Sequence, residues 1–185
     1  MQGKLREALK YHRKSLKLWE EMGNEENSSM ALNNIGVLYR SAGDFLMAEI
    51  YYNKALEKLT RQNDTLGIAL CLNNLGVIYK EQNNFAKALE SYEVALKLRT
   101  IKNEQNGRVS TLNNIGALYK KQNHLDSALF YFQQSLDLCK KLNNTHGISH
   151  ASWNLAGIKL QQGDVSEAKV LGELSLKTAH EIKSV

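Results

Sequence analysis

The decisive stretch of this sequence is Leu32-Asn33-Asn34-Ile35-Gly36-Val37-Leu38-Tyr39-Arg40. It returns as LNNLGVIYK from residue 72 and as LNNIGALYK from residue 112, and a weaker copy, SWNLAG, begins at residue 152. The offset is 40 residues each time. A fixed period of this length is typical of proteins built from stacked repeats, in which each unit packs on its neighbours.

Each repeat has the periodicity of two α-helices. Leu32, Ile35, Gly36 and Tyr39 are spaced i, i+3, i+4 and i+7, which places them on one helix face. A second segment repeats a small, an aromatic and a small residue at helical spacing: Ala48/Tyr52/Ala55, Ala88/Tyr92/Ala95, Ala128/Phe132/Ser135 and, in degenerate form, Ala168/Gly172/Ser175. We therefore predict a helix pair in every repeat.

Helix ends are marked by residues that adopt a left-handed backbone cheaply: Gly43, Asn83, Asn123 and Gly163. The residue that follows each of them can cap the next helix where it is Asp or Asn, whereas His124 is a poor cap. These signals predict an all-α fold of about nine helices, near residues 3–22, 25–41, 44–62, 64–82, 84–102, 105–122, 124–142, 145–162 and 164–182.

Composition agrees with this fold and excludes several classes of protein. The chain has 185 residues, of which 43% are hydrophobic and 23% charged, and it contains no proline. Its apolar fraction excludes a disordered tail, and its apolar runs are too short for a transmembrane helix. The formal net charge of +5 is spread along the chain, so we predict no nucleic-acid partner and no membrane insertion.

Glycine recurs inside the first helices, at Gly36, Gly76 and Gly116. Because glycine costs about 1 kcal/mol relative to alanine in a helix, its repetition indicates a steric need. We expect the aromatic residue of the second helix to approach it closely, so that Gly76→Leu would overpack the pair. Cys71 and Cys139 are expected to be buried apolar residues, since two cysteines form no disulfide framework.

These motifs resemble the tetratricopeptide repeat (TPR) family, whose pattern of Leu, Gly, Tyr, Ala, aromatic and Ala is met at Leu75, Gly76, Tyr79, Ala88, Tyr92 and Ala95. The 40-residue period exceeds the family's usual repeat of about 34 residues. Thr60, Thr100 and Lys140 stand where a proline is usual. The chain is thus similar to the long-repeat branch, which includes kinesin light chain and bacterial signalling regulators. The resemblance implies a right-handed superhelical solenoid of antiparallel helix pairs.

The alignment predicts one array over residues 1–185. It comprises an orphan second helix (3–22), three regular repeats (24–63, 64–103 and 104–143) and a degenerate fourth repeat (144–183), in which Ala156, Lys159 and Gly172 replace Gly, Tyr and the aromatic residue. Because residues 3–22 lack a first helix, we expect a piece of a longer protein.

The helix face opposite the packed one carries asparagine in every repeat, at Asn34, Asn74, Asn114 and Asn154. Asparagine is a mediocre helix former, so helix propensity does not explain the repetition. Its amide can donate to and accept from a single peptide unit. In TPR families the first helices line a concave groove, and long-repeat members use asparagines there to hold extended peptides. The predicted peptide-binding groove comprises Asn33, Asn34, Val37, Arg40, Asn73, Asn74, Val77, Lys80, Asn113, Asn114, Ala117, Lys120, Trp153 and Asn154.

Two interpretations of this stripe stay open. The asparagines either contact a peptide or bond adjacent repeats to each other. The basic row of Arg40, Lys80 and Lys120 either selects acidic side chains or is a solvated helix edge. Trp153 is expected either to stack on the ligand or to pack against a following repeat.

The predicted function is a non-enzymatic scaffold that binds a protein or peptide segment, acidic or neutral, as the sensing or partner-binding region of a signalling regulator. The alternative is a self-association or structural module, such as a homodimer. No catalytic motif and no cofactor site is recognisable. His146 and His150 have the i, i+4 spacing of metal ligands, but no third ligand is evident, so we predict no metal. The favoured compartment is the cytoplasm.

Overall fold

The computed structural model describes residues 2–183, and in this range all regular structure is α-helical. Its nine helices are α1 (Gln2–Glu21), α2 (Glu25–Ser41), α3 (Phe45–Arg61), α4 (Thr65–Glu81), α5 (Phe85–Ile101), α6 (Gln105–Lys121), α7 (Leu125–Lys141), α8 (Thr145–Gln161) and α9 (Val165–Lys183). The predicted all-α fold class is confirmed, and each predicted boundary lies within one residue of the observed one. Over residues 2–183, no helix combines the length and the apolar character needed to cross a membrane.

The turns between helices follow the expected chemistry. The residues with positive φ in the described range are Gly23, Gly43, Asn63, Asn83, Asn103, Asn123, Asn143 and Gly163. Each lies one residue before the N-cap of the next helix, where a left-handed residue ends the preceding helix. Asp44 caps α3 by accepting from the Met47 N–H at 3.0 Å. His124 makes no side-chain cap to α7, as predicted for this position.

The helices form two compact units, α1–α5 (residues up to Lys102) and α6–α9 (residues from Asn103). In the first unit each helix packs on the next along the chain, and α2 also contacts α4. In the second unit α6 packs on α7, α7 on α8 and α8 on α9. The organisation of residues 1–185 as one array stays a prediction, and residues 1, 184 and 185 lie outside the described part of the chain.

Glycine and an aromatic ring meet at the centre of each regular helix pair. The rings of Tyr52, Tyr92 and Phe132 are fully buried. A Cβ atom added to Gly76 would lie 2.5 Å from Cε1 of Tyr92, and one added to Gly36 would lie 2.7 Å from the Tyr52 ring. Because real side chains do not approach so closely, glycine is required sterically at these positions. The predicted close approach is confirmed.

In the fourth repeat the glycine position carries a larger residue and the aromatic position carries a smaller one. Ala156 replaces the glycine and is buried, while Gly172 replaces the aromatic residue. A Cβ atom on Gly172 would meet nothing within 4 Å. Cys71 and Cys139 are buried free thiols, as predicted for apolar core residues.

Candidate functional site

An asparagine pair joins the first helices of successive repeats in the first unit. Nδ2 of Asn74 on α4 donates to Oδ1 of Asn33 on α2 at 3.1 Å. The Sγ of Cys71 donates to the same oxygen at 3.7 Å. Both asparagines are only 8% exposed. The contact is therefore a buried bond between repeats, of the kind that the sequence left open as the alternative to peptide contact.

The second unit lacks the corresponding bond. Nδ2 of Asn154 donates to the backbone carbonyl of His150, on its own helix, at 3.0 Å. Oδ1 of Asn113, the counterpart of Asn33, is buried without a hydrogen-bond partner among the described residues. Trp153, which stands where earlier repeats have Asn33 and its equivalents, is 68% exposed. Asn154, the asparagine of α8, thus has different surroundings from its counterpart Asn74 on α4.

A pocket of about 170 Å³ lies between α2 and α4 in the first unit. Its lining consists of Glu26, Ser29, Met30, Asn33, Leu59, Asp64, Gly67, Leu70 and Cys71. Met30 is 56% exposed and Leu70 43% exposed, so both present apolar surface to solvent. Asn33 contributes the polar floor, and Glu26 and Asp64 contribute carboxylates.

The second unit carries a pocket in the same register, between α6 and α8. Seven of its lining residues occupy positions 80 residues after those of the first pocket: Asn106, Val109, Ser110, Asn113, Asn144, Gly147 and His150. Asn114 and His146 complete the lining. This pocket is larger, about 500 Å³, and Ser110 and His150 stand in it where the first pocket has Met30 and Leu70.

The amino-acid sequence matches the model of a known protein family. A family model described as the MalT-like TPR region matches residues 1–182. The chain belongs to this family. The predicted TPR resemblance is thereby confirmed, and with it the TPR-like class of helix pairs. No curated protein matches the sequence of the chain.

Solved structures share this fold at low sequence identity. BtubC (BKLC) from P. vanneervenii is 21% identical with a TM-score of 0.86, and the match covers 100% of this chain and 76% of that one. A Rap protein complexed with competence and sporulation factor is 17% identical with a TM-score of 0.86, over 97% of this chain and 50% of that one. A putative kinesin light chain with TPR-like repeats from Podosopora anserina is 14% identical with a TM-score of 0.73, over 100% and 91%. The MalT-like TPR chain spans about half of the Rap protein, and these identities support the fold alone.

The predicted groove residues of the MalT-like TPR chain differ in burial. The buried ones are Asn33, Asn73 and Asn74. The half-buried ones are Asn34, Val37, Arg40, Val77, Lys80, Asn113, Asn114, Ala117 and Asn154. The exposed ones are Lys120 and Trp153. Of these fourteen, Asn33 lines the first pocket, while Asn113 and Asn114 line the second.

The three basic residues of the predicted row have three different surroundings. Arg40 is half-buried. Lys80 lies 3.4 Å from the carboxylate of Glu81, and its side chain is only 16% exposed. Nζ of Lys120 lies 3.6 Å from the position that a Cβ atom would take on Gly157, which is ordinary van der Waals contact. The residues therefore do not present one uniform row of free cations.

The pocket that Met30 and Leu70 border was not predicted from the sequence. Glu26, Met30 and Asn33 have i, i+4, i+7 spacing, which was an available signal for a shared face. A second signal was the glycine repeated at Gly67 and Gly147. Their Cβ atoms would collide with Leu59 and Cys139, at 2.5 and 2.3 Å. These glycines let each first helix start close to the end of the preceding helix.

Metal chemistry finds no support in the described residues. No group of three or more His, Cys, Asp and Glu side chains among them is placed to hold an ion. His146 and His150 are exposed and border the second pocket. The ring of His150 also contacts the side-chain amide of Asn154, with Nδ1 of the ring 3.4 Å from Nδ2 of the amide.

Proposed function

We propose that the chain is a non-enzymatic binding module, and that a peptide or protein segment lies along the open side of its first helices. The observation that carries this proposal is the recurrence of one pocket in the same register in both units. Between α2 and α4, and again between α6 and α8, equivalent positions line an opening to solvent. Repeated pockets suit an extended peptide, because its backbone presents the same groups at regular intervals.

Apolar side chains supply the binding energy in this proposal. Met30 and Leu70 border a concave opening, and a ligand side chain placed between them would remove apolar area from water. The flexible thioether of methionine adapts to ligands of different shape. Trp153, exposed on α8, offers an aromatic surface of the type that dominates interface energetics.

The asparagines have divided roles in this proposal. Asn33 and Asn74 satisfy each other across the repeats, so they hold the helices in register. Asn34 is half-buried, and it carries an amide that a peptide backbone can pair with. Acidic side chains on the partner are not required, because Lys80 is already paired with Glu81.

One solved relative supports the idea of a bound partner. The Rap protein that shares this fold was solved in complex with competence and sporulation factor. A TPR-like fold of this type is therefore able to hold a ligand. By analogy, the chain would act as the partner-binding region of a signalling regulator in the cytoplasm.

The proposal is tested by selecting binders from a phage library of random linear peptides and measuring the synthesised peptides by fluorescence anisotropy. Met30→Ala combined with Leu70→Ala is expected to lower affinity at least about tenfold, since a hot-spot contact exceeds the roughly 1.4 kcal/mol that a factor of ten requires. The matched control is Leu46→Ala combined with Val94→Ala, two exposed apolar residues on second helices of the same unit. Equal binding by both double variants would contradict the proposal.

Self-association is the second candidate function, and it is supported by exposed apolar side chains on α9. Val165, Val170 and Leu176 each expose more than half of their surface on this helix. Exposed apolar residues on one helix suit a contact with a second copy. Light scattering over a range of protein concentrations tests it: a dimer that Val170→Glu and Leu176→Glu abolish supports self-association, and a constant monomer mass rejects it.

A further inference from the structure

We propose that the pocket between α2 and α4 takes a lysine or arginine side chain of the bound peptide, with its aliphatic stem between Met30 and Leu70 and its cationic head beside Glu26 and Asp64. This inference rests on the proposed function, because it names the chemistry of the ligand for the same surface. It reverses the charge preference that the basic row predicts for this part of the chain.

The carboxylates of the pocket are available to a cation. Oδ1 of Asp64 caps α4 by accepting from Leu66 N–H at 3.1 Å and Gly67 N–H at 3.0 Å. The hydrogen bonds among the described residues leave Oδ2 of Asp64 without a donor. Glu26 likewise has no ion-pair partner in the described part of the chain, whereas its neighbour Glu25 is paired with Lys58 at 3.1 Å.

The lining of the pocket carries negative charge and no positive charge. Its nine lining residues include no lysine, arginine or histidine, although the chain carries a net charge of +5. A negative pocket on a positive protein attracts a cationic group locally while the remaining surface repels it. The field of Asp64 also reaches the inner wall, because this carboxylate adds to the effect of burial in raising the pKa of the Cys71 thiol to about 12.

The walls match the stem of a long basic side chain. Met30, Leu59 and Leu70 provide apolar surface. Lysine and arginine bury their methylene stems along such surface and keep the charged head at a polar rim. At about 170 Å³ the opening suits one side chain rather than a larger group.

The second unit supplies an internal comparison. Asn106 stands where the first pocket has Glu26, and Asn144 stands where it has Asp64. Both differences remove a negative charge while they keep a polar side chain, and Asn144 still caps its helix by accepting from Gly147 N–H at 2.9 Å. The two pockets thus share their register and differ in charge, so the preference for a cation belongs to the first unit.

The test replaces both carboxylates by their neutral isosteres. Glu26→Gln combined with Asp64→Asn keeps side-chain size, and asparagine caps a helix as well as aspartate does. The control, Glu90→Gln combined with Glu93→Gln, removes the same charge from exposed positions of α5. Circular dichroism verifies that both variants remain helical.

The probes are peptides selected on the wild-type chain from the random library, each compared with a version in which norleucine replaces its lysine. Norleucine keeps the aliphatic stem and lacks the ammonium. We expect a recurrent lysine or arginine among the selected peptides. The norleucine version should bind the wild-type chain at least about tenfold more weakly, since hydrogen bonds to charged groups contribute this much. The variant that carries both Glu26→Gln and Asp64→Asn should bind the norleucine version about as well as it binds the lysine peptide.

Two results would overturn this inference and leave the proposed function intact. One is a set of selected peptides that depends on Met30 and Leu70 but contains no recurrent cation. The other is equal affinity of the lysine peptide for the wild-type chain and for the Glu26→Gln, Asp64→Asn variant. Binding that ignores Met30 and Leu70 as well would contradict both proposals.

Discussion

The side-chain amide of Asn74 on α4 donates to that of Asn33 on α2, across 41 residues of sequence and at a distance of 3.1 Å. Both side chains are buried. A buried amide oxygen that loses its donor carries the full cost of desolvation. The bond therefore links the stability of one repeat to the position of the next.

Asn74→Ala is expected to lower the free energy of unfolding by about 1–3 kcal/mol, because Asn33 would keep only the weak thiol donor of Cys71. The matched control is Asn34→Ala, at the equivalent position one repeat earlier. Asn34 makes no hydrogen bond in the described part of the chain, so its removal should change stability by less than about 0.5 kcal/mol. Urea unfolding followed by circular dichroism measures both. Equal stability of the two variants would show that the Asn33–Asn74 bond contributes nothing.

Gly76→Ala is expected to destabilise the chain by about 1–3 kcal/mol, because its Cβ would lie 2.5 Å from the ring of Tyr92. Gly172→Ala should do the opposite. Its Cβ meets nothing within 4 Å, and alanine is favoured over glycine in a helix by about 1 kcal/mol. Thermal melting of the two variants distinguishes packing from helix propensity, and a shift of the same sign in both would argue against the steric role of Gly76.

His124→Ser should stabilise the chain by about 1 kcal/mol, because α7 begins without a side-chain cap. The opposite experiment removes an existing cap at the equivalent position of the preceding repeat. Asn84 caps α5 by accepting from Lys87 N–H at 3.3 Å, so Asn84→Ala should cost a similar amount. Urea midpoints would measure both effects. A His124→Ser chain no more stable than wild type would mean that water already satisfies the start of α7.

Stability should fall in alkaline solution. Burial raises the pKa of the Cys71 thiol from 9.0 to about 12, with Asp64 adding to the effect. Burial likewise raises the pKa of the Tyr52 hydroxyl from 10.0 to about 12. Both groups ionise at lower pH in the unfolded chain than in the folded chain. Their contribution to the free energy of unfolding is therefore complete below about pH 9 and is lost as the pH rises from about 9 towards about 12.

Urea midpoints measured between about pH 7 and about pH 11 check this dependence. Cys71→Ala removes one of these groups, so the loss of stability above about pH 9 should be shallower than in the wild type. The onset stays near pH 9, because burial also raises the pKa of the Cys139 thiol. A Cys71→Ala chain whose midpoint falls along the same curve as that of the wild type would contradict the assignment to this thiol.

Local chemistry made the helices and their ends predictable. Glycine and asparagine tolerate positive φ far better than other residues, so Gly43 and Asn83 mark helix ends wherever they recur with the repeat. The glycine at position 76 was predictable for a similar reason, since glycine inside a helix is costly unless a neighbour needs the space. These signals act within a few residues of the feature that they determine.

The pocket and the asparagine bond were not predictable in the same way. Which side of α2 opens towards solvent depends on how it crosses α4, and residues about 40 positions apart fix that angle. A helical wheel gives the face of Asn34 but not the partner of Asn33. The pairing of Lys80 with its neighbour Glu81, in contrast, was visible in the sequence and would have weakened the case for a free basic row.

The most direct test of the binding surface uses the methionine methyl groups as reporters. Met30 borders the pocket between α2 and α4, while Met22, which is 70% exposed, lies at the end of α1. The chain, labelled with carbon-13 on its methionine methyls, is titrated with a selected peptide and followed by NMR. We predict that the Met30 resonance shifts or broadens in proportion to peptide bound while Met22 stays in place. A complex that moves the Met22 resonance and leaves Met30 unchanged would contradict the account.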